Sequence, residues 1–171
     1  MKNFKRKGAW LDQLSPEIQL IYLLFLVFAL VGQGTFLFMS VYRVGMGYDA
    51  IVRHYRGDEG MNADEAMSFP KEPIELLEVT HFHAYIEGIV LLVLAHLFVA
   101  APVSKAFKRG IIVLSFGSTF LDLASPWLIR FVAPSFAYGQ MAAWIIMGVS
   151  YIPLTLTPAY SLIQRRNKPA S

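Results

Sequence analysis

The sequence predicts an all-α integral membrane protein: an up-down bundle of four transmembrane helices with both termini cytoplasmic and a short-helical cap over residues 43–79 on the outer side. Three observations predict it. The 171-residue chain is 56% hydrophobic and only 16% charged, where soluble domains carry roughly a quarter. Four apolar segments, about 18–42, 80–102, 111–132 and 141–163, each approach or exceed the length that crosses a hydrocarbon layer. The charges are also sorted. Ten of the fifteen Lys/Arg residues fall in the N-terminal tail, the 103–110 connection and the C-terminal tail, and eight of the twelve acids fall in 43–79. Basic connections stay in the cytoplasm, so the acidic one is extracytoplasmic.

Residues 1–171 are expected to form a single transmembrane domain. Inside a bilayer each backbone N–H and C=O must be paired within its own segment, which makes such spans helical. Strands would be shorter and would alternate polar with apolar residues.

The first span follows Lys2, Lys5, Arg6 and Lys7, but its apolar run is too long for a signal peptide and no A-x-A site follows it. Ser15-Pro16-Glu17 reads as a helix start, with serine as cap, proline in the first position and an acid in the first turn. In the 43–79 connection, Asp49 is placed to cap a short helix AIVRHYR that Gly57 ends. Asn62 with Glu65 resembles a capping box opening a second short helix, ADEAMSF. Pro73 suits the first position of a long helix, so the second span begins about two turns above the membrane. Pro126, Pro153 and Pro158 are expected to kink the third and fourth spans.

Composition removes several function classes. There is no cysteine, hence no disulfide, no thiolate-held cluster and no covalent CxxCH haem. The net charge of +3 resides at helix ends, where it orients spans and meets anionic lipid, so nucleic acid is not an expected partner. No Walker A, GxGxxG, HExxH or GxSxG motif is present. No complete catalytic motif remains, and the chain leans away from being an enzyme.

The second span carries most of the chemistry. Glu78, His81, Tyr85 and His96 share one broad helical face, and His83 and Glu87, four apart, share the opposite one. Intramembrane ionisable residues are costly and point to function by default. His81 and His96 stand about 22 Å apart along a helix, the separation two stacked haems need. This makes His81, His83, His96 and Tyr85 candidate haem b contacts. The other spans contain no histidine, so a second ligand would come from Met39, Met141, Met147, His54 or another copy of the chain. A metal site is the rival expectation: Glu78-x-x-His81, with His54 from the loop, offers carboxylate and imidazole to one ion. In the third span Asp122 lies among Ser115, Ser118, Thr119 and Ser125. At comparable depth to Glu87, it is expected to join His83 and Glu87 in a polar cluster, with Arg130 balancing the charge. A clamp that only fixes helix packing competes with that reading.

Two segments, YDAIVRHYRGDE and LLEVTHFHAY…AHLF, resemble those of small four-helix bacterial inner-membrane proteins. The resemblance spans most of the chain and implies a location in the bacterial cytoplasmic membrane and an accessory role in respiration. The expected function is therefore a small inner-membrane subunit or accessory protein of redox chemistry, binding haem b or a transition metal. Its expected partners are the lipid bilayer and a membrane complex or a second copy of itself. A non-redox assembly protein and a dimeric proton-coupled carrier using Glu87 and Asp122 are the alternatives.

Overall fold

The computed structural model describes residues 14–58 and 67–166. The described residues are helical with no strand, and four helices are long and apolar enough to cross a membrane. Helix α1 spans Pro16–Met39 and runs into a π-helical turn, Ser40–Val44. Helix α2, Tyr48–Arg56, forms the described part of the cap. Helices α3, Pro73–Ala100, α4, Lys105–Phe131, and α5, Ala137–Arg166, complete the bundle, with a 3-10 turn at Pro134–Phe136 before α5. The basic N-terminal cluster, Asn62 and Glu65 lie outside the described residues; of the expected second cap helix ADEAMSF only residues 67–69 are described, and they are not helical.

Local chemistry sets the helix ends. Ser15 occupies the cap of α1 with Pro16 in the first turn, although its side chain makes no capping bond. Gly47, not Asp49, caps α2; Asp49 sits one position into the first turn, where its charge still favours the helix N-terminus. Gly57 ends α2 at φ +71, a conformation L side chains rarely adopt, and a Cβ there would meet Pro70 N and Ser68 O at 2.7 Å. Glu72 caps α3, and Glu75 accepts from its backbone N–H at 3.1 Å. Ser104 caps α4 by accepting from Phe107 N–H.

The bundle is built as a membrane interior requires. Helix α4 buries Ser115, Ser118, Thr119, Asp122, Ser125 and Ile129, which fall on one helical face. Phe116 and Phe120 point outward. Small and polar residues let backbones approach where burying oil against oil gives no gain. Ser115, Ser118 and Ser125 return their hydroxyls to carbonyls in their own helix, and Thr119 bonds Tyr151 of α5 at 3.0 Å. The closest helix pair is α4 with α5, and α1 packs on α5 more than on α3.

Burial along α3 is uneven, and this positions the site. Leu91, Leu94, Ala95, Leu97, Phe98 and Ala100 are buried in the half away from the cap, whereas only Leu76 is buried in the half near it. One end of the bundle is therefore a packed apolar core, joined by Leu26, Met147 and Leu154. The cap end is looser. There a smaller core of Ile51, Ile129, Ala137 and Trp144 docks α2 onto α4 and α5.

Two arginines strap the cap connection to the bundle. Arg56 reaches the Ile129 carbonyl at 3.3 Å, and Arg130 reaches the Lys71 carbonyl at 3.0 Å. Asp58 accepts from the backbone N–H groups of Met67 and Ser68, each at 2.9 Å, and pairs with Arg53 at 2.7 Å. Burial pushes the Asp58 carboxyl up, but the Arg53 guanidinium and the two N–H groups outweigh it and hold the carboxyl below its usual range.

A candidate site beneath the cap

Between the looser halves of the helices lies a cavity of about 320 Å³. Its walls come from every helix: Phe36 and Met39 from the end of α1, Tyr55 and His54 from α2, Leu76, Thr80 and His83 from α3, Asp122 and Pro126 from α4, Gln140 and Trp144 from α5. The π-helical turn contributes Ser40, Arg43 and Val44, and such turns recur where helices are bent to function.

Asp122 is buried and accepts a hydrogen bond from the Gln140 amide; the Trp144 side chain bonds it as well. His83 and Glu87 meet across one turn of α3, Nδ1 to Oε1, at 2.8 Å. The Glu87 carboxylate accepts from the Nδ1–H of His83. Two buried atoms, Glu87 Oε2 and Gln140 Oε1, have no hydrogen-bond partner among the described residues. At the cap end, Lys71 pairs with Glu75 at 3.6 Å. Burial lowers the His54 affinity for a proton, and the Lys71 charge lowers it further. Burial likewise pushes the Tyr55 phenol above its usual value, helped by the negative Asp122.

The structure sorts the candidates from sequence into two groups. It brings His83 onto Glu87 and sets His83 and Asp122 in the walls of one cavity. It does not add Arg130, whose guanidinium bonds the Lys71 carbonyl and lies over the Phe131 ring at 5.2 Å; Arg130 belongs to the strap and does not balance Asp122. Glu78, His81, Tyr85 and His96 face outward on α3, with the His81 and Tyr85 rings stacked edge-on at 5.1 Å. His54 sits on the cavity wall instead, so His54, Glu78 and His81 do not converge on one point. No group of three metal-ligating side chains forms among the described residues.

Gln140, Trp144, Thr80 and Lys71 are site residues that sequence reasoning passed over. A signal existed for the first two. Gln140 is an amide at the start of an apolar span, and Trp144 lies one turn on, so both share a face with Met147 and Tyr151. Lys71 and Thr80 reach the cavity only through the path of the connection and the tilt of α3, which no local pattern reveals.

Comparison with curated proteins and with solved structures returns no match. A family profile described as a transmembrane helical domain matches residues 45–169, which takes in α2 to α5 and the cavity walls they supply, but not those from α1 and the π-helical turn. The chain is a multi-pass membrane protein and belongs to this transmembrane helical domain family.

Proposed function

We propose that the protein is a small accessory subunit of redox chemistry in the bacterial cytoplasmic membrane, and that it works through the cavity beneath the cap. The observation that carries this reading is the gathering of Asp122, Gln140 and the His83–Glu87 pair around one intramembrane cavity. Two carboxylates and an imidazole inside a membrane are expensive to keep, and together they can hold and pass a proton. The sorting of charge supports a cytoplasmic position for both termini and an extracytoplasmic one for the cap. The cavity then opens toward the outer leaflet.

Haem b or a transition metal enters this reading only as a centre shared with another chain. His81 and His96 face away from the bundle, so their axial partners would have to come from a neighbour. The competing reading is a packing clamp, favoured by the Gln140 amide on Asp122.

Infrared difference spectroscopy of the detergent-purified protein between acid and neutral pH, with an absorption spectrum and metal analysis, tests these readings. A protonated-carboxyl band that titrates and disappears in Asp122→Asn is expected. Its absence from the wild-type protein would leave the clamp. A Soret band or stoichiometric metal, lost in His81→Ala or His96→Ala, would establish the shared centre, and a spectrum with neither would end it.

A further inference from the structure

The cavity is polarised from end to end. Its deep end presents the Asp122 carboxylate, an acceptor, with the orphaned Gln140 Oε1 buried beside it. Behind His83, Glu87 Oε2 is a further buried acceptor lacking a donor among the described residues. At the cap end stand Arg43 and the Lys71–Glu75 ion pair. Between the two ends the walls are mostly apolar or aromatic, with Phe36, Leu76 and Trp144 among them, and Ser40, Tyr55 and Thr80 add hydroxyls.

A ligand that fits must donate hydrogen bonds at its deep end, present a flat apolar body, and accept hydrogen bonds at the cap end. Buried acceptors left without donors are costly, so a donor-bearing ligand is favoured over one that brings more acceptors. A quinone has a carbonyl at each end, and its deep oxygen would face carboxylate and amide lone pairs. A hydroquinone has a hydroxyl at each end: the deep one donates, and the outer oxygen accepts from Lys71 or Arg43. An ammonium also donates, but its hydration would be stripped among apolar walls. Phe36 and Met39 of α1 and Leu76 and Val79 of α3 face the cavity, and a hydrocarbon tail would leave it along the seam between these two helices.

We infer that the cavity binds the headgroup of a hydroquinone-class lipid and selects the reduced form over the oxidised quinone. The inference rests on the cavity being the working site proposed above.

The test uses the full chain in nanodiscs under anaerobic conditions. A short-chain ubiquinol, its quinone and its dimethyl ether are titrated by calorimetry. The quinol is expected to bind at least about tenfold more tightly than the other two. Gln140→Leu should bring the quinol down to the affinity of the quinone. Leu123 also lines the cavity; Leu123→Trp, which narrows it while leaving its polar side chains in place, should abolish quinol binding, and it decides the matter if Gln140→Leu does not fold. Equal affinity for quinol and quinone, no quinol binding, binding that survives Leu123→Trp, or displacement of the quinol by phosphatidylethanolamine each overturns the inference. A titrating Asp122 band without quinol binding removes the ligand and leaves the proposed proton role; quinol binding without that band removes the proton role alone.

Discussion

The indole N–H of Trp127 donates to the Thr80 hydroxyl at 2.8 Å, tying α4 to α3 beside the cavity where the two helices share few other polar contacts. Thr80→Val keeps the shape and removes the acceptor. The stranded indole N–H should lower stability by about 1–2 kcal/mol, read as a lower midpoint of thermal unfolding in detergent. An unchanged midpoint would mean that the indole finds another acceptor.

Asp122 holds the Gln140 amide and the Trp144 side chain, so its neutral and deleted variants should separate. Asp122→Asn retains an oxygen acceptor and is expected to unfold near the wild type. Asp122→Ala strands buried donors and should cost about 1–3 kcal/mol, measured by the same thermal assay. Equal losses in the two variants would assign the cost to charge and not to hydrogen bonding.

Burial, then the charge of Lys71, lowers the His54 proton affinity below its ordinary 6.5, and the Glu75 charge and a bond to the Arg43 main chain only partly oppose them. The folded cap therefore prefers the neutral ring. Above pH 6.5 both folded and unfolded states are neutral and the stability contribution is complete. Below it the unfolded state binds a proton first, and the contribution is lost as the pH falls through the lowered folded value. Amide exchange in α2 should accelerate over that window and not in His54→Gln. Identical pH profiles for the two proteins would refute the assignment.

Gly57 should tolerate no side chain. At φ +71, with Pro70 N and Ser68 O at 2.7 Å from a built Cβ, Gly57→Ala is expected to loosen the connection between α2 and α3 by more than about 1 kcal/mol. Limited proteolysis between α2 and α3 should become faster than in the wild type.

The spans were legible because the bilayer imposes length and hydropathy on them: Pro16 and Pro73 open the helices they were expected to open. The His83–Glu87 contact was legible too, since residues four apart on a helix must meet. Between helices this legibility ended. Depth alone allowed Arg130 to be matched with Asp122, yet the guanidinium turns to a main-chain carbonyl of the connection, whose course no helical periodicity encodes. Asp122 finds its donor instead in Gln140, eighteen residues on and in the next helix. The divided helix α3 shows the same limit. Its two polar faces could be read from spacing, but which one meets the bundle depends on where α4 and α5 stand.

Helix α1 supplies one wall of the cavity while committing little of itself to the bundle: 11% of its most apolar stretch is buried, against 44% in the last span. The family profile begins at residue 45, after α1 and its π-helical turn have ended. Of the four spans, α1 is thus the cheapest to displace, and its movement would open the cavity sideways while the α4–α5 pair stayed intact. Bilayer thickness and lateral pressure, which act directly on a helix so widely exposed to lipid, become levers on the occupancy of a site buried beside it.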